Sequence, residues 1–308
     1  MPKNRRFAFV LNPQAGRGRA RRVEDRLVRF LKSHSVNFTL ERTKEPLHAT
    51  RIAAQASNDY DVVVAVGGDG TVNEVANGVA GTNASMGILP AGSGNDFNKI
   101  VGVPSTLDAA IESLVHGVRK VFDIGHLHYQ DSGDGAEHQR HFMNSFGVGL
   151  DATVADYTRR IRWLRGVPLY LTAVARSLYR FQRPELDVTM DGWTGKQKAF
   201  LLCAGNGMFE GGGFQLTPGA DPHDALLEVC IIQDMPILKA LPLIPKVLAG
   251  SHAEHSAVIL RDTAEVTVRG EHPFALHVDG EVLGRSISVV RAGVKAGGVS
   301  VLVPPPPK

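Results

Sequence analysis

Residues 61–80 read DVVVAVGGDGTVNEVANGVA. Val62 to Val66 are apolar on both faces of an extended chain, the pattern of a strand buried inside a parallel sheet. The run stops at Gly67-Gly68-Asp69-Gly70-Thr71, a glycine turn. Thr71 and Glu74 have the T-x-x-E spacing of a capping box, which predicts that a helix begins at Thr71. A glycine turn feeding a helix N-terminus presents backbone N–H groups and a positive dipole end, a setting suited to phosphate. Asp69 is out of place in a pure anion site. It becomes sensible if it holds Mg²⁺, directly or through water, or accepts a proton. The plain alternative is a tight βα turn with a chance aspartate.

Two further loops repeat the theme. Asn12-Pro13-Gln14-Ala15-Gly16-Arg17-Gly18 follows the strand-like RFAFVL and precedes an amphipathic run with Ala20, Val23, Leu27, Phe30 and Leu31 on one face. It has no GK[ST] and therefore is not a Walker A loop, and Arg21 stands where a dinucleotide fingerprint needs its third glycine. Residues 1–45 carry 12 Lys/Arg against 4 Asp/Glu, a positive balance suited to polyphosphate. The third loop, Pro90-Ala91-Gly92-Ser93-Gly94-Asn95-Asp96, again follows a short apolar strand. Loops after successive parallel strands meet at the carboxyl edge of the sheet, so all three are expected to face one another.

Beyond this core, strand and helix signals alternate up to about residue 123, predicting βαβ units. From about Gly125 the chain becomes strand-rich: ELDVTMDG, KQKAFLLCAG, LLEVCIIQ, AEVTVRGE, FALHVDGEVLG and SISVVRAG, with helical stretches near 151–180 and 236–250. The expected class is α/β plus β: a parallel α/β domain over 1–124, completed by 294–308, and a β-rich domain over 125–293. A length of 308 residues accommodates two such cores, and 43% hydrophobic with 21% charged residues excludes a disordered chain. The 33 glycines favour tight turns over helix bundles.

The net charge of +3 is too balanced for a general nucleic-acid binder. Cys203 and Cys230 lie in apolar runs and read as reduced core residues, with neither a disulfide framework nor a CxxC pattern. The N-terminal apolar run is short, and residues 235–250 are interrupted by Pro236, Pro242 and Pro245, so neither a signal peptide nor a membrane span is expected and a cytoplasmic protein is the default.

Together the GGDGT and GSGND loops, VFDIG around Asp123, FMNSFGVGLDATVA at 142–155, GNGMFEGGGFQLTPGA at 205–220 and HVDGE at 277–281 resemble the diacylglycerol kinase catalytic-domain family, most closely its soluble bacterial lipid kinases. The resemblance covers nearly the whole chain in order. It implies a Rossmann-like first domain of the NAD kinase and phosphofructokinase type, a sandwich-like second domain, and an ATP cleft between them. It places ATP against Asn12, Pro13, Gln14, Ala15, Gly16, Thr43, Gly67, Gly68, Asp69, Gly70, Thr71, Val72, Asn73, Ser93 and Asp96. It also implies a water-linked network of Asp69, Asp96 and Asp123 around catalytic Mg²⁺.

The same resemblance points to HVDGE for the base that takes the proton from a lipid hydroxyl: Glu281 supported by Asp279, with Asp69 as the rival. Two apart on a strand, Asp279 and Glu281 are expected on one side; read without the family, Asp279-Gly280 is a hairpin turn. A structural Mg²⁺ site is implied at Asp221, Asp224 and Leu226, where Ala225 replaces the family's glycine and would be strained at positive φ. The implied activity is transfer of the ATP γ-phosphate to a lipid hydroxyl, diacylglycerol first, by a cytoplasmic protein peripheral to the inner face of the membrane. The resemblance allows a homodimer. Other substrates in view are a sphingoid base, phosphatidylglycerol or NAD, and the non-enzymatic alternative is a regulator that binds nucleotide or lipid.

Residues 159–183 hold seven arginines and no acid, interleaved with Trp163, Tyr170, Tyr179 and Phe181. That composition suits either an anionic membrane surface or a core-covering helix pair with a solvated basic face. His126, His128, His138 and His141 flank DSGDG without a zinc spacing, and a solvent-facing hairpin explains them more simply than a metal.

Overall fold

Four parallel strands, β1 (Arg6–Leu11), β2 (Asn37–Arg42), β3 (Val62–Gly67) and β4 (Ser85–Pro90), lie in the order β2-β1-β3-β4. The structure is a computed structural model that describes residues 5–133, 135–150, 172 and 183–306. Every residue of β3 is buried, as its unbroken apolar run requires, whereas the edge strand β2 is half exposed. Helices α1 (Ala15–Ser33), α2 (His48–Ala56), α3 (Asp69–Val79), α4 (Asp96–Val101) and α5 (Leu107–His116) connect and flank these strands. Near the chain's end, Ser300 and Val301 pair in parallel with Ser85 and Met86 of β4. The chain divides into two units, Met1–Ile124 with Ala296–Lys308, and Gly125–Lys295.

The α2–α3 contact corrects the capping-box expectation. Helix α3 begins at Asp69, two residues before Thr71, with Gly68 extended at its N-cap and no side-chain cap. Glu74 does not fold back on its own helix. Its Oε2 accepts the Ala49 N–H at 3.0 Å and so serves the first turn of α2, whose own N-cap, Leu47, has no capping oxygen and sits at φ 63°. The two helices can approach because residue 78 is glycine: a Cβ there would fall 2.6 Å from both Ala53 Cβ and the Thr50 carbonyl oxygen.

The second unit is antiparallel. Its strands are the distal part of β5 (Val118–Asp131), β6 (Glu137–Phe142), β7 (Ser145–Gly149), β8 (Glu185–Met190), β9 (Trp193–Gly205), β10 (Leu227–Gln233), β11 (Val258–Thr263), β12 (Glu265–Val278) and most of β13 (Glu281–Val303). Strand β9 pairs with β8 through Trp193–Lys198 and with β7 through Leu201–Gly205, and β12 pairs with the same two strands. Strands β9 and β10 read as continuous apolar runs because both faces are covered. Leu202, Ala204, Val229 and Ile231 enter one core with Phe146 and Leu276; Leu201, Cys203, Cys230 and Ile232 enter another with Leu243 and Val247. Leu243 and Val247 belong to α7 (Leu243–Leu248), which follows the short α6 (Ile237–Ala240).

Three details depart from the sequence expectation. AEVTVRGE and FALHV form one strand, β12, carried through register shifts between Arg269 and His277. The run FALHVDGEVLG is instead broken, with its first part ending β12 and Glu281 opening β13. Strands β5 and β6 form the hairpin expected around DSGDG, with His126 paired to His141, whereas β7 and β11 and helices α4 and α5 were not among the anticipated segments. The expected helices near 151–180, and the basic aromatic segment 159–183 except Arg183, lie outside the described residues save Thr172.

Candidate active site

In the first unit the three glycine-containing loops meet at the carboxyl ends of β1, β3 and β4. The Asn12 N–H bonds the Val66 carbonyl at 3.1 Å, and the Ala91 N–H bonds the Gly67 carbonyl at 2.7 Å. Asn12 Nδ2 donates to Thr71 Oγ1 at 3.1 Å, and the Thr43 N–H bonds the Leu11 carbonyl at 2.9 Å. Glycine is needed where the loops touch. A Cβ on Gly16 would fall 1.9 Å from the Ala91 carbonyl oxygen, and one on Gly92 would fall 2.4 Å from Gly68 Cα. Backbone from three loops thus packs with no side chain between, the construction that lets N–H groups approach a phosphate chain.

Asp69 fastens two of these loops. Its Oδ1 accepts the Asp96 N–H at 2.7 Å and its Oδ2 accepts the Asn95 N–H at 2.8 Å. A carboxylate from the first turn of α3 therefore satisfies the start of α4, and Asn95 sits at φ 51° with its own Oδ1 accepting the Gly92 N–H. Asp96 is buried and pairs with Lys99 Nζ at 2.7 Å. The Asp69 and Asp96 side chains flank Gly94, whose Cβ, if present, would lie 2.7 Å from Asp69 Oδ2 and 3.3 Å from Asp96 Oδ2. Asp123, also buried, accepts the Gly297 N–H at 2.7 Å. Among the described residues no three His, Cys, Asp or Glu side chains are close enough to ligate one ion directly.

In the second unit Asp279 and Gly280 are a two-residue hairpin turn at φ 46° and 76°, with Val278 paired to Glu281 across it. The expectation that Asp279 and Glu281 share one side of a strand is corrected by this turn: they do not lie along one strand. The Asp279 carboxylate accepts the N–H groups of Met143, Asn144 and Ser145 at 2.9, 2.9 and 3.1 Å. Glu281 Oε2 instead contacts Arg140 Nη2 at 3.3 Å. Asp279 thus shapes the bend between β6 and β7, while Glu281 carries a carboxylate whose partner is a cation.

The family comparison bears on both units. Residues 6–127 match the model of the diacylglycerol kinase catalytic domain, and residues 144–303 match the YegS C-terminal NAD kinase beta sandwich-like domain. A diacylglycerol kinase of Mycobacterium tuberculosis is 32% identical over 295 residues, covering 93% of each chain. The chain belongs to the diacylglycerol kinase family. It is a lipid kinase, a phosphotransferase with an alcohol acceptor. A diacylglycerol kinase structure from Bacillus anthracis str. Sterne covers 99% of both chains at 21% identity with a TM-score of 0.74. The yeast NADH kinase structure, at 10% identity and a TM-score of 0.52 over 98% of this chain and 85% of its own, shares the fold.

In this lipid kinase the loop at Asp221–Leu226 turns at Ala225. Ala225 takes φ 61°, a left-handed conformation that costs a non-glycine residue about 1–2 kcal/mol. Asp224 Oδ1 accepts the Leu226 N–H at 2.9 Å, and the Asp221 carbonyl accepts the N–H groups of His223 and Asp224 at 2.8 and 3.3 Å. Nearby, Glu228 Oε2 accepts the Gly219 N–H at 2.8 Å, and burial first, with Asp262 and Asp224 adding repulsion, pushes its carboxyl above the ordinary glutamate range.

Two residues of the lipid kinase escaped sequence reasoning. Lys99 lies one turn beyond GSGND and pairs with Asp96 at i,i+3, a spacing readable only once α4 is recognised. Arg140 faces Glu281 from 141 positions away, and no local pattern announces that contact. No helix among the described residues is long and apolar enough to cross a membrane.

Proposed function

We propose that this chain phosphorylates diacylglycerol to phosphatidic acid, with ATP as donor and Mg²⁺ as the counter-charge. The observation that carries the reading is the Asp69 clamp. It fuses the GGDGT and GSGND loops into one surface of close-packed glycine backbone with two carboxylates beside Gly94. Two neighbouring carboxylates are the donor set Mg²⁺ takes when water and phosphate oxygens complete its octahedron. Asp69 and Asp96 are the residues that would hold it, with Asp123 linked through water. When bound, the ion neutralises phosphate oxygens and the charge developing on them.

The chain's own residues do the remaining work. Asn12–Gly16, Thr43, Gly67–Asn73 and Ser93 would bind and orient the nucleotide. Glu281 takes the proton from the lipid hydroxyl as that oxygen forms its bond to the γ-phosphorus and the bond to the ADP oxygen breaks. Both Asp69 oxygens already accept backbone N–H groups, a clamp's role, which favours Glu281 over Asp69 as the base. Arg140 keeps the Glu281 carboxylate oriented until the hydroxyl arrives. Asp279 is a positioning residue for that hairpin. Asp221, Asp224 and Leu226 are the residues that would hold a second, structural Mg²⁺.

The direct test is transfer of labelled γ-phosphate with Mg²⁺ to a panel of diacylglycerol, monoacylglycerol, sphingosine, ceramide and phosphatidylglycerol in mixed micelles, with NAD as a soluble control. Label on diacylglycerol is expected. Label on another lipid replaces the substrate, and label on NAD or on nothing overturns the proposal.

A further inference from the structure

A buried polar row in the second unit is not used by the mechanism above. His277 of β12 pairs with Gly147 of β7, Gly147 pairs with Cys203 of β9, and Cys203 pairs with Cys230 of β10. Residues directly opposite in antiparallel strands share a face, so these four stand side by side on one surface of the sheet. Gly147 leaves a gap in the row, and Glu210 reaches into this region from the loop after β9. One of its oxygens, Oε1, is 3.1 Å from His277 Nε2 and the other, Oε2, is 3.2 Å from Cys203 Sγ. His277 and Cys203 are fully buried and Glu210 nearly so. A carboxylate in such a place is costly unless a cation or donors compensate it; the imidazole supplies the first when protonated and the thiol supplies a donor.

The row is wired to the hairpin that carries Glu281. His277 lies two residues before Asp279 on the same strand. Asp279 holds the 143–145 bend, and Asn206 closes the circuit, with its Nδ2 donating to the Met143 carbonyl at 2.8 Å and its N–H to the Asn144 carbonyl at 2.7 Å. Four residues on from Asn206, Glu210 opens a tight turn through Gly211, Gly212 and Gly213, all at positive φ, closed by reciprocal backbone bonds of 2.8 Å between Glu210 and Phe214.

We propose that Glu210 and His277, with Cys203, are positioning residues that lock the glycine turn to β12 and so fix the Asp279–Glu281 hairpin for proton transfer. The proposal rests on Glu281 being the base. Removing either member lets the hairpin drift, and because the pair acts as a unit the losses do not add.

The test compares full-length wild type, E210Q, H277Q, E210A and the double variant E210A/H277A by steady-state kinetics on the lipid substrate. Amide exchange at Met143–Ser145 is followed in parallel. For E210A, kcat is expected to fall on the order of 10- to 100-fold with the KM for ATP within about twofold of wild type. The double variant is expected to be no worse than the poorer single one, and the isosteric E210Q to retain more activity than E210A. Exchange at Met143–Ser145 should rise about tenfold while amides of β1 and β3 stay protected. Multiplicative losses, or unchanged exchange in E210A, overturn the proposal; should E210A fail to fold, E210Q carries the same two readouts. Wild type that labels no lipid would defeat the functional reading, and the exchange arm would still decide whether Glu210 holds the hairpin.

Discussion

Asp69 illustrates how one side chain can serve structure and chemistry together. Replacing it by alanine leaves the Asn95 and Asp96 N–H groups without their acceptor, a loss of about 1–3 kcal/mol for each group that water does not rescue. D69A is therefore expected to lose both turnover and stability, the latter read by urea denaturation. Gly94 makes the complementary prediction. The methyl of G94A would press on Asp69 Oδ2 and Asp96 Oδ2, so turnover should fall at least about tenfold while the denaturation midpoint falls less than in D69A. Ala225, at φ 61°, predicts a gain: A225G should raise stability by about 1 kcal/mol in the same experiment.

At the level of elements, β3 and its glycine turn were legible because a strand buried on both faces leaves an unbroken apolar run and only glycine permits the close approach of Gly68 to Gly92. The capping box was misread because the T-x-x-E pattern is local, whereas Glu74 found its donor on another helix. E74A is thus expected to cost about 0.5–2 kcal/mol, with amide exchange rising at Ala49 in α2 rather than at the start of α3. The HVDGE segment was legible as a turn from Asp279-Gly280 alone, since adjacent residues at positive φ are what a two-residue hairpin demands. What each carboxylate touches was not legible. Met143–Ser145 and Arg140 lie more than 130 positions away in sequence, and only the antiparallel register delivers them.

Across the whole molecule, the order of parallel α/β elements followed by antiparallel strands could be read from periodicity, and the structure has that class. The crossing of one face of β9 by a buried Glu–His–Cys group could not, because Glu210 sits in a glycine loop with no pattern of its own. Charge burial also sets the acid stability of the protein. Burial first, and neighbouring cationic groups for His126 and His141, hold His126, His141 and His252 below the ordinary histidine range. The native state then binds fewer protons than the unfolded chain, so stability is complete above about pH 6.5 and falls as pH drops below it. Urea midpoints between pH 7.5 and 5.5 should fall for wild type, and the slope should flatten in H126N/H141N/H252N. An unchanged slope would contradict this assignment.

The central proposal is that the loops around Asp69 receive the nucleotide and that Glu281 takes the proton. The most direct measurement is labelled γ-phosphate transfer to diacylglycerol by wild type and E281Q, with ATP affinity of both measured by calorimetry. The account predicts that wild type labels the lipid and that E281Q loses about 100-fold or more in kcat with an unchanged Kd for ATP. E281Q as active as wild type, or a wild type that binds ATP and labels no lipid, would contradict it.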